Sequence, residues 1–93
     1  MLIQHKTAGS KGMFYVEEEG NILAEMVYTM ASPGQMIIEH TEVNDSLKGK
    51  KVGLQLVHHG VEYAREHDIK IIPLCSFARS VFQKTSDFND VLA

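Results

Sequence analysis

The chain has 93 residues, of which 44% are hydrophobic, and nine Lys and Arg against twelve Asp and Glu give a formal net charge of −3. This length supports one compact core and excludes two domains that each bury a core of their own. The acidic balance excludes an overall positive field that would draw the chain to nucleic acid, so any anion site must be local.

Cysteine usage and hydropathy bear on the cellular setting. The lone Cys75 has no partner for an internal disulfide, and the first residues carry no apolar stretch long enough for a secretory signal. No run approaches the roughly 20 apolar residues that a membrane-spanning helix requires. We expect a cytoplasmic protein that is free in solution and has no membrane partner.

The first half of the chain has the pattern of antiparallel strands. Three segments are rich in β-branched or aromatic residues, namely Met13 to Glu18, Ile22 to Met30 and Met36 to Val43, and a weaker one covers Leu2 to His5. Short turns separate these segments, and short connections join antiparallel strands. The sequence therefore predicts a four-stranded meander.

After Val43 the apolar period changes from two to between three and four. This period predicts an amphipathic helix from about Lys50 to His67. The apolar segment Ile69 to Cys75 then predicts a buried strand, which a strand–helix–strand unit would pair in parallel. A last helix is predicted over Ser76 to Lys84, with Ser76 as its N-cap.

The predicted fold is therefore α+β, with a mixed sheet and the element order β-β-β-β-α-β-α. One domain spans residues 1–93.

A loop before the long helix has the composition of an anion site. Between Asn44 and Gly53 it combines two glycines with Lys48, Lys50 and Lys51. The first-turn N–H groups of a helix have no intrahelical partner, and the helix dipole is positive there, so a diphosphate can accept several bonds. The alternative is an ordinary solvated basic turn. The loop matches neither Walker A nor the dinucleotide glycine triplet, which disfavours ATP and NAD.

The run Leu47-Lys48-Gly49-Lys50-Lys51-Val52-Gly53-Leu54, together with Val43 before it, resembles the acetyl-CoA loop of the GNAT superfamily of N-acetyltransferases. The usual pattern of that loop is Gln/Arg-x-x-Gly-x-Gly/Ala. Lys48 stands at its first position and Gly53 at its last, whereas Lys51 replaces the middle glycine.

Two flanking segments extend the resemblance to about Phe14 to Leu92. Glu39-His40-Thr41-Glu42-Val43 precedes the loop and Ile72-Pro73-Leu74-Cys75-Ser76-Phe77 follows the helix, and both look like the small single-domain members of the superfamily. The resemblance implies a truncated GNAT fold without the N-terminal helices that form much of the acceptor site in larger members.

The resemblance also implies acetyl-CoA as the cosubstrate. Backbone groups of the strand through Thr41 and Val43 would bond the acetyl and pantetheine portion, and N–H groups of Lys48 to Gly53 would take the pyrophosphate. The strand is expected to splay from its neighbour at Pro73, which lacks an N–H. The cofactor-binding residues expected on this basis are Thr41, Val43, Lys48, Gly49, Lys50, Lys51, Val52, Gly53, Cys75 and Phe77.

Three residues are candidates for catalysis. Cys75 precedes a predicted helix whose dipole favours the thiolate, so it is either a transient acetyl acceptor or a structural cysteine that lines the acetyl pocket. His40 is a candidate general base near neutral pH, and strand alternation places it on one face with Ile38 and Glu42. Glu42 is a second candidate base. The alternative is that His40 is a structural histidine of the sheet whose ring forms hydrogen bonds with neighbouring residues.

Two observations argue against further chemistry. Many GNAT enzymes protonate the departing CoA thiolate with a tyrosine of the last helix, and the matching position here is Phe82, which offers no proton. The adjacent His58 and His59 point about 100° apart on a helix, and no second Cys completes a zinc set, so no metal site is predicted.

The sequence thus predicts an acetyl-CoA-dependent N-acetyltransferase acting on an amine of a small molecule or an exposed peptide end. A non-catalytic CoA-binding or adaptor domain is the main alternative. A phosphate-binding module unrelated to CoA is a third.

Overall fold

Four antiparallel strands form the first half of the protein in the computed structural model, which describes residues 1–93. They are β1 (Gln4–Ala8), β2 (Lys11–Glu18), β3 (Asn21–Ser32) and β4 (Gln35–Val43), and each pairs with the next. The predicted meander is confirmed. β1 differs most, because it begins later than predicted and continues to Ala8. The other three strands begin one or two residues earlier than predicted, and β3 also ends two residues later.

The second half contains helix α1 (Val52–His67), strand β5 (Lys70–Pro73) and helix α2 (Ser76–Lys84), with short 3₁₀ segments before α1 and after α2. The sheet order is β1-β2-β3-β4-β5, and β5 runs parallel to β4. The predicted mixed sheet and element order are therefore confirmed. Neither helix is long and apolar enough to cross a membrane.

The predicted start of α1 at Lys50 is wrong by two residues. Lys51 has φ 57° and ψ 33°, which is left-handed backbone, so the right-handed helix begins only at Val52. The predicted strand Ile69 to Cys75 is likewise shorter than expected, because it ends at Pro73, which cannot donate a ladder hydrogen bond.

A core of 20 buried apolar residues lies between one face of the sheet and the helices. Phe14, Met26 and Ile38 come from the sheet, and Leu56 and Val61 come from α1. The opposite face of the sheet, which we call the outer face, holds only exposed and partly buried side chains among its strand residues. The protein therefore has two layers.

A bulge in β4 changes which of its residues face the helices. Tyr28 of β3 pairs with Ile38, and the preceding Val27 pairs with His40, so Glu39 is an extra residue on β4. His40 consequently lies on the outer face, whereas Ile38 is buried against the helices. The prediction that these two residues share a face is wrong, because strict alternation does not allow for a bulge.

Beyond the bulge, the strand continues with its faces exchanged. Thr41 pairs with the buried Met26, so Thr41 and Val43 are partly buried on the helix side. Glu42 pairs with Glu25 and is exposed on the outer face beside His40.

Candidate functional site

The sheet opens between its two parallel strands. The pairing of β4 with β5 ends where Ile38 meets Pro73, and the N–H groups of Leu74 and Cys75 both donate to the carbonyl of Ile38, at 2.9 and 3.2 Å. The chain then turns into α2, while β4 continues to Val43 without a neighbouring strand on that side. The expectation that Pro73 marks the opening is confirmed.

This opening leaves backbone groups of β4 available. The N–H of Asn44 donates to the carbonyl of Leu23 on β3, at 2.7 Å. In an antiparallel ladder every second residue bonds the same neighbour, so Glu42 bonds β3, while the N–H and C=O groups of Thr41 and Val43 face the open edge. An edge of this kind is a template for hydrogen bonds with an extended ligand.

A cleft of about 450 Å³ lies next to this edge, between the loop before α1 and helix α2. The expected cofactor-binding residues that line it are Val43, Lys48, Gly49, Lys51, Val52, Gly53 and Phe77. Further lining residues that the sequence did not indicate are Leu47, Leu54, Ser80, Val81, Lys84 and Thr85. The spacing of Phe77, Ser80 and Lys84 on one helix face is the signal that could have found the α2 members.

Three expected residues lie outside the cleft wall. Lys50 is exposed, and its carbonyl accepts a hydrogen bond from Nε2 of Gln55 at 3.2 Å. Thr41 and Cys75 come together at the open edge instead, where Oγ1 of Thr41 lies 3.4 Å from Sγ of Cys75.

The start of α1 has the unpartnered donors that an anion requires. The N-cap residue Lys51 makes no side-chain hydrogen bond to the helix, and the N–H of Gln55 is the one that bonds the carbonyl of Lys51. The N–H groups of Val52, Gly53 and Leu54 therefore have no intrahelical partner. All three residues line the cleft.

Gly53 packs closely against Phe77, and its backbone is not left-handed. A methyl group built on Gly53 would lie 2.5 Å from Cζ of Phe77, so the phenyl ring rests directly on the first turn of α1. The loop and α2 are thereby held together on the two sides of the cleft.

The charge around the cleft is positive although the whole chain is acidic. Lys48, Lys51 and Lys84 line it, and no Asp or Glu does. Nζ of Lys48 lies 3.1 Å from Oδ1 of Asp45, but both side chains are exposed, so solvent screens this pair. The loop that the sequence predicts as a local anion site thus borders a cleft with a cationic lining.

Cys75 is the N-cap of α2, so the prediction of Ser76 is wrong. Cys75 has extended backbone, with φ −70° and ψ 143°, and Ser76 is the first helical residue. Sγ of Cys75 accepts a hydrogen bond from the N–H of Ala78 at 3.4 Å. The half-buried sulfur therefore lies both at a helix N-terminus and beside Thr41.

His40 and Glu42 form a pair on the outer face. Nε2 of His40 lies 3.0 Å from Oε1 of Glu42, and both side chains are exposed. Because Thr41 projects to the opposite side between them, the structure divides the catalytic candidates. Cys75 lies at the open edge beside Thr41, and His40 with Glu42 lies across the sheet from the helices.

Phe82 does not face the cleft. Its ring is 4% exposed and packs against Phe88, with ring centroids 6.0 Å apart. The ring of His58 on α1 also stacks against Phe88, with ring centroids 5.8 Å apart, and its Nε2 lies 3.5 Å from Oε1 of Glu62. These contacts indicate a structural role for His58.

Together these features define a class of protein. It is an α+β domain whose mixed sheet opens beside a helix N-terminus of the kind that binds phosphate groups. Sequence comparison places the chain within that class. The pattern of the family described as GCN5-related N-acetyl-transferase matches residues 13–91, and the chain belongs to this family. No protein of curated function matches the chain significantly in sequence.

Solved structures agree with this assignment. A GCN5-like protein from Staphylococcus aureus, determined by solution NMR, is 38% identical with a TM-score of 0.76, over 97% of this chain and 87% of that one. A GNAT family acetyltransferase from Elizabethkingia anophelis with acetyl-CoA bound has a TM-score of 0.63 and 16% identity, over 82% of this chain and 53% of that one.

The ribosomal-protein-S18-alanine N-acetyltransferase from Escherichia coli is similar with a TM-score of 0.67 and 10% identity, over 84% of this chain and 53% of that one. The chain thus spans about half the length of these two larger relatives, and the likeness to them is one of fold.

Proposed function

We propose that this protein is an N-acetyltransferase that binds acetyl-CoA as cosubstrate and transfers the acetyl group to an amine, in the cytoplasm. The amine belongs to a small molecule or to an exposed peptide end. The observation that carries the proposal is the open edge of β4 beside a cleft lined by Lys48, Lys51 and Lys84 without a carboxylate. Family membership and the acetyl-CoA bound to the Elizabethkingia anophelis relative support it.

The residues of the cleft and of the open edge fit the two chemical halves of acetyl-CoA. The free N–H groups at the start of α1, with Lys48 and Lys51, suit the pyrophosphate. The unpaired backbone groups of Thr41 and Val43 suit the amide-bearing pantetheine chain. The thioester would then end near Thr41 and Cys75, which are 3.4 Å apart.

The amine would approach from the outer face, where His40 and Glu42 form their pair. In this proposal His40 takes a proton from the ammonium form of the acceptor, and Glu42 orients the imidazole and balances its charge. The amine nitrogen forms a bond to the carbonyl carbon and gives its second proton to solvent, the carbon–sulfur bond breaks, and CoA leaves as a thiolate. Because Phe82 offers no proton, the thiolate departs as the anion.

A two-step route through Cys75 is the second form of this chemistry. The thiolate of Cys75 would take the acetyl group from CoA, with release of the CoA thiolate, and the amine would then displace Cys75. Its position at the open edge, 3.4 Å from Thr41, favours this route. Intact mass after mixing with acetyl-CoA tests it, since a Cys75→Ala protein that gains the same acetyl mass rules the intermediate out.

Two measurements test the proposed function. Isothermal titration calorimetry with CoA tests the binding, and the absence of heat at millimolar ligand overturns the proposal. Thiol release from acetyl-CoA with a panel of amines tests the transfer. If CoA binds and no amine exceeds background hydrolysis, the domain is a CoA-binding adaptor.

Variants of the outer-face pair test the base. We expect His40→Gln to lower kcat by about 10²-fold or more, which is the usual contribution of a general base, with CoA affinity unchanged. His59→Gln is the matched control, because His59 is exposed on α1 away from the open edge. Equal loss in both variants, or none in His40→Gln, excludes His40 as the base.

A further inference from the structure

The end of α2 forms the wall of the cleft that lies opposite the loop before α1. Ser80, Lys84 and Thr85 contribute to it, and we call these three residues the α2 wall. Lys84 is the last residue of α2, and its exposed side chain lines the cleft.

The donors of the α2 wall are not used by the fold. Lys84 takes part in no ion pair, and the hydroxyl of Thr85 makes no capping hydrogen bond although Thr85 precedes the last 3₁₀ segment. The hydroxyl of Ser80 donates to the carbonyl of Phe77 at 2.8 Å, which leaves its oxygen free to accept. A lysine at a helix C-terminus also complements the helix dipole, but that role requires neither the free hydroxyl nor a place on the cleft.

The start of α1 already offers one diphosphate a complete set of donors. The N–H groups of Val52 and Gly53 line the cleft together with Lys51, and they suffice for one diphosphate. Lys84 and Thr85 line the same space of about 450 Å³ and are donors beyond that set. They are therefore available to a second anionic group of the same ligand.

Within CoA the group that meets this description is the 3′-phosphate of the ribose, which is chemically separate from the pyrophosphate. We propose that the α2 wall, through Lys84 and Thr85, binds this 3′-phosphate and thereby selects CoA over dephospho-CoA. The inference rests on the proposed function, because it assumes that the loop before α1 holds the pyrophosphate.

The test compares the two ligands by isothermal titration calorimetry. The wild-type protein is expected to bind CoA about 5- to 10-fold more tightly than dephospho-CoA, the gain expected from one partly screened ion pair with a hydrogen bond. Lys84→Gln should remove most of this preference by lowering CoA affinity toward that of dephospho-CoA, and should leave dephospho-CoA binding unchanged. Thr85→Val should reduce the preference by a smaller factor.

Lys6→Gln is the matched control, because it removes one positive charge from β1, whose residues do not line this cleft. Melting temperatures of the variants confirm that each is folded. Equal affinity of the wild type for both ligands overturns the inference, as does an equal loss for both ligands in Lys84→Gln. If neither ligand binds the wild type, the proposed function itself is wrong.

Discussion

Lys51 occupies a backbone conformation that suits glycine, and changing it to glycine separates two effects of the side chain. Its φ of 57° is left-handed, and the GNAT loop pattern that the sequence resembles has glycine at this position. Lys51 also lines the cationic cleft. We therefore expect Lys51→Gly to stabilise the fold and to weaken CoA binding.

The magnitudes follow from the two effects. Left-handed backbone costs a non-glycine residue about 1–2 kcal/mol, while glycine loses about 0.5–1 kcal/mol more entropy on folding, so the net gain is about 0.5–1 kcal/mol. For a domain of this size that raises the melting temperature by about 2–8 °C. Loss of one exposed phosphate contact weakens CoA binding by about fivefold and reduces its salt dependence.

Lys51→Gln is the matched variant, because it removes the charge and keeps the side chain in left-handed backbone. It should lose the same CoA affinity as Lys51→Gly without the gain in melting temperature. Thermal denaturation and calorimetry at two salt concentrations measure both quantities. If Lys51→Gly binds CoA as tightly as the wild type, the charge has no role, and equal melting temperatures of the two variants refute the strain argument.

Three further predictions concern the core and its aromatic cluster. Gly12→Ala should destabilise the fold by about 1–3 kcal/mol in urea titrations, because a methyl group there overlaps the buried ring of Tyr28; an unchanged midpoint would contradict this. Burial, and to a lesser extent the nearby His67, lowers the pKa of His5. Below about pH 6.5 the unfolded chain therefore binds a proton at His5 more readily than the folded protein does, and the free energy of unfolding should decrease as the pH is lowered. His5→Phe should remove that part of the pH dependence between pH 7.5 and 5.5. Phe82→Tyr should cost about 1–3 kcal/mol for a buried hydroxyl without raising kcat, and a faster enzyme would show that the ring reaches the leaving group.

Local patterns made most of the fold predictable. Alternating apolar residues define β2 to β4, a period between three and four defines α1, and Pro73 marks the place where the sheet opens, all within short windows of sequence. The cationic composition of the loop before α1 was visible for the same reason, because its glycines and lysines are contiguous. The bounds of α2 from Ser76 to Lys84 were also correct.

The parts that were missed depend on contacts between distant segments. The helical spacing of Lys84 with Phe77 and Ser80 is visible in the sequence, but the proximity of Lys84 to Lys51 arises only when α2 packs against Gly53. The N-cap of α2 was misplaced because a cysteine sulfur is a weak acceptor, and a serine one residue later is the usual choice.

The bulge at Glu39 is the feature that joins the two halves of the candidate site. Before the bulge, the carbonyl of Ile38 faces β5. After the bulge, the backbone groups of Thr41 face the same side of β4, where the sheet is open. The same extra residue turns His40 to the outer face. Nζ of Lys11 at 3.0 Å and a neighbouring threonine hydroxyl at 2.7 Å hold the Glu39 carboxylate on that face.

An unbulged β4 would exchange both patterns at once. The backbone of Thr41 would then bond β3, and its side chain would leave the neighbourhood of Cys75 for the outer face. His40 would turn toward the helices, where the proposed acceptor does not approach. One unpaired residue therefore sets both the strand edge that suits the pantetheine chain and the face from which the proposed base acts, which explains why neither half of the site could be placed by alternation alone.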